Sequence, residues 1–350
     1  MDSDGIRCII NFFDKTSIGL FTIYQKDFQE KTNRIISEIM LKDFISNVNE
    51  NAIKVDSIIL TKDNAQWQYY FTEEKPHSVR SISKTVSCLG AFVAIEKGMF
   101  DLDTNILQFF DIGKITNVGN IPFLEKMKVR HLMNLTIGQE EGLMFSKDIK
   151  NMSPDTDFIY YILNYDIKHW PGEHFVYNNA ATYLLCSIIQ ELTNEYFKDW
   201  IQRELFDEMG VMLVDWERTK QGVCLGASGL SLTNTDLHKI ALLLLNEGNY
   251  QGVQLLSREH IQMMHTPQFF TANLQEYANK QSRCINKMSY GYGLWICGNG
   301  SENYPKTHYF CDGTDGQLLI VSPQDKMAIT VLSQQKNMEP IYEALNCFFH

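Results

Sequence analysis

The pattern of apolar and polar positions divides the chain into three stretches. Over residues 28–48 apolar side chains recur at helical spacing (Ile35, Ile36, Ile39, Met40, Phe44) and predict a long helix. Residues 55–60 and 66–71 predict two strands around a turn at Lys62-Asp63-Asn64. A second helix follows Lys84, with Val86, Leu89, Phe92, Val93 and Ile95 on its apolar face and Gly98 closing it. The middle of the chain loses the strand pattern. Helical stretches are predicted over 103–110, 129–135, 155–165, 179–191 and 194–209. Trp170-Pro171-Gly172-Glu173 is a turn signal, and it delivers the chain to Asn179, a residue suited to cap the next helix. From Gly226 the pattern changes again. Thr233 and Asp236 resemble a capping box before a helix over 237–245. Strands are predicted over 292–297, 317–321 and 327–332, and a last helix over 338–349. Strands at both ends with helices between them predict a mixed α/β domain built from 1–80 and 226–350, with a mostly helical domain, 81–225, inserted.

Composition narrows the function classes. The chain has 350 residues, long enough for a large core, and is 44% hydrophobic and 21% charged, as ordinary globular proteins are. A net charge of -11 argues against a nucleic-acid partner or an anionic membrane surface. No apolar run reaches membrane-spanning length. The acidic start, Met1-Asp2-Ser3-Asp4, and an apolar patch at 8–13 cut short by Asp14-Lys15 predict no secretory signal, so the expected location is the cytoplasm. Residues 1–27 carry no assignable function. The eight cysteines (positions 8, 88, 186, 224, 284, 297, 311 and 347) form no Cys-x-x-Cys pair and fit free thiols in a reducing compartment. The nine histidines show no metal-binding spacing, so no metal or cofactor is expected.

Candidate chemistry begins at Arg80-Ser81-Ile82-Ser83-Lys84. A serine in the first turn of a helix has its Oγ and backbone N–H at the positive end of the helix dipole. Lys84, three residues on, faces the same side, and a buried ammonium loses proton affinity and can take the serine proton. Ser-x-x-Lys also arises by chance, and a serine cap before a solvated lysine is the simpler reading of these residues alone. Three other stretches bear on the choice. In Tyr177-x-Asn179, a tyrosine near an ammonium ionises more easily and can move a proton, while the asparagine amide can donate to a substrate carbonyl; a core tyrosine and a helix cap are the plain alternatives. In Cys311-Asp312-Gly313-Thr314-Asp315-Gly316-Gln317, before an apolar strand, glycines let backbone approach a ligand. Strand-edge N–H groups there, with that of Ser81, would form an oxyanion hole; a hairpin turn is the alternative. The aromatic run 290–295 either walls a pocket or packs the core.

Together these stretches resemble the serine hydrolase superfamily of class C β-lactamases, low-molecular-weight penicillin-binding proteins and related esterases and amidases. The likeness keeps the family's order from about Val55 to Leu332. Ser81-Ile82-Ser83-Lys84 looks like its first motif, followed by Glu96-Lys97-Gly98 and Leu102-Asp103. Val129-Arg130-His131-Leu132 resembles the segment before its Thr-Ser-Gly turn, which here reads Thr136-Ile137-Gly138 and lacks the serine. Trp170-Pro171-Gly172 and Tyr177-Asn178-Asn179 look like its Pro-Gly turn and Tyr-x-Asn motif, and Gly229-Leu230 with Thr233 and Asp236 like its later helix start.

The resemblance implies an α+β fold of the β-lactamase/transpeptidase type, an antiparallel sheet flanked by the terminal helices with an inserted all-helical domain. It implies Ser81 as acylated nucleophile, Lys84 and Tyr177 as the proton-handling pair, Asn179 as a substrate and lysine contact, and Gly313, Thr314 and Gln317 as substrate-binding. No cofactor is implied, and the partner is a small ester or amide. One departure stands out. β-Lactamases and penicillin-binding proteins carry Lys-Thr-Gly or His-x-Gly on the third-motif strand, whose cation holds the substrate carboxylate; here the position reads Cys311-Asp312-Gly313. Gly313-x-x-Gly316-Gln317 is closer to the amidase and esterase branch, including hydrolases of aminohexanoate oligomers. The expected function is a serine hydrolase working through an acyl-enzyme. The alternatives are a β-lactamase or DD-peptidase, and a catalytically idle descendant that only binds a ligand.

Overall fold

A computed structural model of the protein describes residues 15–153, 155–278, 285–298 and 306–349. The acidic start, the patch at 8–13, Cys8 and Cys284 lie outside the described residues, as does part of the loop 267–288.

The chain opens with helix α1 (Lys15–Glu50), longer than its apolar spacing predicts. Its buried face is Leu41, Phe44 and Val48, whereas Ile35, Ile36 and Ile39 are exposed. Next come strands β1 (Val55–Lys62) and β2 (Ala65–Tyr70). Asp63 and Asn64 both take positive φ, 49° and 68°, the geometry of a two-residue hairpin turn that matches strand twist. β1 pairs on its other side with β13 (Met327–Ser333), and β13 with β12 (Gln317–Ser322), which pairs with β11 (His308–Gly313). β10 (Trp295–Cys297), β9 (Ser289–Tyr290) and β8 (Phe269–Phe270) complete an eight-stranded antiparallel sheet, ordered β2-β1-β13-β12-β11-β10-β9-β8.

β12 and β13 are buried at every position, which requires cover on both faces. The terminal helices supply one cover: α1 packs on α10 (Glu339–Leu345), Phe44 meets Phe348, and His308 stacks on Phe349. Helix α8 (Asn234–Leu245) supplies the other, with the Tyr309 hydroxyl donating to Leu244 O. Thr233 caps α8 by accepting from the Asp236 N–H, as the capping pattern predicts. His238 of α8 is buried between Thr61 and Thr330, 2.8 and 3.0 Å from their hydroxyls.

Helices fill the middle of the chain: α2 (Ser83–Glu96), α3 (Val129–Met133), α4 (Ser146–Asn151), α5 (Phe158–Asn164), α6 (Ala180–Thr193) and α7 (Phe197–Ile201), with α9 (Arg258–Met264) later. A second sheet orders β3 (His77–Ser78), β5 (Leu230–Leu232) and β4 (Asp215–Trp216), and β6 (Asn249–Tyr250) pairs with β7 (Val253–Gln254). α2 is buried from Ser83 to Ala94, packs on α6, and carries Lys84 of the Ser-x-x-Lys motif in its first turn.

Candidate active site

Ser81 lies not in the α-helix but in a 3-10 turn, Arg80–Ile82, that feeds α2. Within the turn the Ile82 N–H is taken by Val79 O at 3.2 Å, while an N–H at the very start of a helix has no intrahelical acceptor. Arg80 takes φ 53°, a conformation that costs a non-glycine residue on the order of 1–3 kcal/mol. The turn is held from several sides. Ser83 Oγ donates to Arg80 O at 2.6 Å, and the Arg80 guanidinium pairs with Asp315 at 2.8 Å. Further along α2, Thr85 and Ser87 donate to the carbonyls of Gly293 and Gly226, at 2.7 and 2.8 Å. Ser81 is partly exposed at the end of this fixed frame.

Lys84, 1% exposed, places Nζ 3.2 Å from Ser81 Oγ, 2.8 Å from Asn179 Oδ1 and 3.3 Å from Ala227 O. Three acceptors match the three protons of an ammonium. A neutral amine keeps two donors for the amide and carbonyl oxygens and turns its lone pair to the serine. Burial brings its pKa down to about 7, with Asp312 opposing and Lys287 reinforcing the shift. Asn179 is oriented for this task because its Nδ2 donates to Met144 O at 3.0 Å. Its side chain therefore does not cap α6, as the sequence suggests. Asn178 does so instead, its Oδ1 accepting from Ala181 N at 3.0 Å.

Tyr177 completes the group. Lys84 Nζ stands 4.6 Å from its ring centre, and its hydroxyl bonds to Ser81. Trp295 stacks on the ring at 5.6 Å and Tyr290 meets it edge-on at 6.3 Å, so the run 290–295 both packs and walls the site. The expectation that Tyr177 ionises readily is corrected here. Burial and the Asp312 carboxylate push its pKa far up, and it remains a neutral phenol.

The end of β11 reaches the same place. A Cβ on Gly313 would lie 2.5 Å from Val79 O and 2.8 Å from Arg80 Cβ, so only glycine lets the strand touch the turn that carries Ser81. Thr314, the next residue, is exposed. Gln317 is not brought to the group: its amide is spent across the sheet, donating to Ser333 O at 2.6 Å and accepting from Ser333 N at 3.2 Å. Strand alternation sends Tyr309 and Cys311 to the face of α8 and α2, where Cys311 is buried against Thr85. Asp312 faces the other way. Its Oδ2 accepts from the Tyr342 hydroxyl at 3.0 Å and from Lys287 Nζ at 2.9 Å. Lys287, which sequence reasoning missed, also lies 4.5 Å from the Trp295 ring centre and 6.0 Å from that of Tyr177. No motif marks it.

The family profile described as Beta-lactamase matches residues 41–346. The chain belongs to the beta-lactamase family. No curated protein matches it significantly. Among solved structures it is similar to a provisionally assigned 6-aminohexanoate-dimer hydrolase from Bacillus anthracis, at 20% identity and a TM-score of 0.65, covering 85% of this chain and 79% of that one. An octameric penicillin-binding protein homologue from Pyrococcus abyssi gives 20% and 0.68, covering 89% and 76%. EstCE1, a hydrolase with promiscuous acyltransferase activity, gives 11% and 0.71, covering 91% and 100%. At these identities the likeness shows the fold: the antiparallel sheet between terminal helices and α8, with the helical region beside it.

At Cys311-Asp312-Gly313 the strand carries no cation of its own, and Lys287, from another segment, pairs with Asp312 there. His308, further back on β11, is buried against Phe349 at the far end of the strand. Among the described residues, no group of three or more His, Cys, Asp or Glu side chains is placed to hold a metal, and no helix is long and apolar enough to cross a membrane.

Proposed function

We propose that the protein is a serine hydrolase that cleaves an ester or amide through an acyl-enzyme on Ser81. The observation that carries this reading is the contact of Lys84 Nζ with Ser81 Oγ, 3.2 Å, inside a site that strips the ammonium of its hydration. As Ser81 Oγ bonds to the substrate carbonyl carbon, its proton passes to neutral Lys84 and the carbonyl electron pair moves to oxygen. The N–H groups of Ser81 and of the strand end at Gly313-Thr314 receive that oxyanion. When the intermediate collapses, the bond to the alcohol or amine breaks. The leaving group takes a proton from the Tyr177 hydroxyl, which takes one from Lys84. Water then attacks the acyl carbon, giving a proton to Lys84, and Ser81 Oγ leaves with that proton as the acid is released.

Cys88, Cys186, Cys224 and Cys311 are free thiols, which suits a reducing cytoplasm. The test is mass spectrometry of the intact chain after exposure to a fluorophosphonate and, separately, to a penicillin. A fluorophosphonate adduct on Ser81, absent from Ser81→Ala, with no penicillin adduct is expected. Labelling by both would move the protein to the penicillin-recognising branch, and labelling by neither would leave an idle binding module.

A further inference from the structure

Lys287 stands where no family motif puts a residue. It comes from the segment leading into β9, and its ammonium is held by Asp312 at 2.9 Å and lies over Trp295 at 4.5 Å. The pair is mostly withdrawn from water, with 23% of the Lys287 side chain and 11% of the Asp312 side chain exposed. Asp312 is fixed from behind by the Tyr342 hydroxyl. The Tyr177 ring ties this pair to Lys84, with the Lys84 and Lys287 ammonium groups 4.6 and 6.0 Å from its centre, and the Asp312 charge acts on both Lys84 and Tyr177. An unpaired carboxylate in so dry a place would hold a proton on the neighbouring amine, and a protonated Lys84 cannot accept one from Ser81.

We propose that Lys287 is a positioning residue for the hydrolytic reaction: by pairing with Asp312 beside the Tyr177 ring it cancels the carboxylate charge that acts on Lys84 and keeps Lys84 free to receive the Ser81 proton. The inference rests on the proposed function.

The other titratable groups around Lys84 leave this role to the pair. Cys88 from its own helix, Cys311 from β11, Tyr177 before α6 and Tyr290 of β9 are all pushed up by burial and stay neutral. The two further contacts of Nζ, Asn179 Oδ1 and Ala227 O, do not titrate. Asp312 favours the ammonium and Lys287 disfavours it, so the balance depends on keeping both.

The experiment compares the full-length protein with Lys287→Met, Lys287→Arg, Asp312→Asn and the double variant Lys287→Met/Asp312→Asn. The primary readout is kcat/KM for p-nitrophenyl butyrate against pH. Lys287→Met should move the ascending limb up by about one pH unit, a roughly tenfold loss below the limb and little loss above it. Lys287→Arg should restore the limb, Asp312→Asn should move it down, and the double variant should fall near wild type. A Lys287→Met protein that loses activity equally at every pH, or whose double variant is displaced as far as the single, would overturn the proposal. Titration of Lys84 by 13C NMR of labelled lysine, assigned with Lys84→Arg, reads the same displacement without turnover. A displaced Lys84 in a protein with no hydrolase activity would defeat the proposed function. An unmoved Lys84 in an active one would defeat the role of Lys287.

Discussion

The pH dependence of the wild-type protein tests the proton-handling scheme most directly. Only neutral Lys84 can accept the Ser81 proton, so kcat/KM follows the fraction of Lys84 that is deprotonated. Burial sets that equilibrium at about 7, against 10.5 for a free lysine side chain. The neutral fraction is then about 10% at pH 6 and about 90% at pH 8, so kcat/KM rises roughly tenfold between them and is nearly flat above pH 8.5. A solvated lysine behaves otherwise: the rate climbs close to tenfold per pH unit up to about pH 10. The neutral phenol of Tyr177 adds no second limb in this range, because its environment opposes ionisation. The assay is initial-rate hydrolysis of p-nitrophenyl butyrate over pH 5.5–9.5, corrected for spontaneous hydrolysis, with Ser81→Ala as blank. A limb near pH 4–5 would transfer the base to a carboxylate. A profile still rising steeply at pH 9 would show that Lys84 is hydrated in solution, and either result would refute the scheme.

Lys84→Ala and Tyr177→Phe should each lower the acylation rate by orders of magnitude, measured by single-turnover kinetics, with the double variant little worse than either, since groups passing one proton do not lose rate additively. Wild type should turn over p-nitrophenyl butyrate far better than nitrocefin, because the Lys287 ammonium is committed to Asp312. Asp312→Asn frees that cation and should shift the kcat/KM ratio toward nitrocefin by about ten- to a hundredfold, the worth of one charge-assisted hydrogen bond; an unchanged ratio would show that Lys287 does not reach the substrate. Cys311→Lys is a poor probe of the same point, since Cys311 is buried against Thr85. His238 is held to a pKa of about 3 by burial, below 6.5 for the free side chain, so between those values the unfolded chain binds the extra proton and stability falls as pH falls. From pH 7 to 5 this term removes about 2 kcal/mol, read by urea denaturation as a difference from His238→Gln, whose own stability should vary less across that range.

The sequence by itself determined what depends on neighbours along the chain. The hairpin turn at Asp63-Asn64, the cap at Thr233 and the apolar runs of β12 and β13 follow from turn chemistry and side-chain period, and each is where the pattern puts it. The order of motifs from Ser81 to Gly316 was also enough to mark the family, because the motifs are linear even though the site is not. Strands of two or three residues such as β3, β8 and β9 escaped, since so few positions carry no period, and α1 misled because Ile35, Ile36 and Ile39 turn to solvent. Tertiary structure alone decided the electrostatics. Whether Asn178 or Asn179 caps α6 depended on which one Lys84 and Met144 claimed. Tyr177 was expected to ionise beside a lysine, yet desolvation and the Asp312 carboxylate outweigh that contact. Gln317 lost its place at the site to a partner on β13, and Lys287 gained one through an aspartate on another strand. Local conformation is written in short windows of residues. Burial and charge pairing are sums over groups that only the folded chain brings together, and these sums set which proton Lys84 can take.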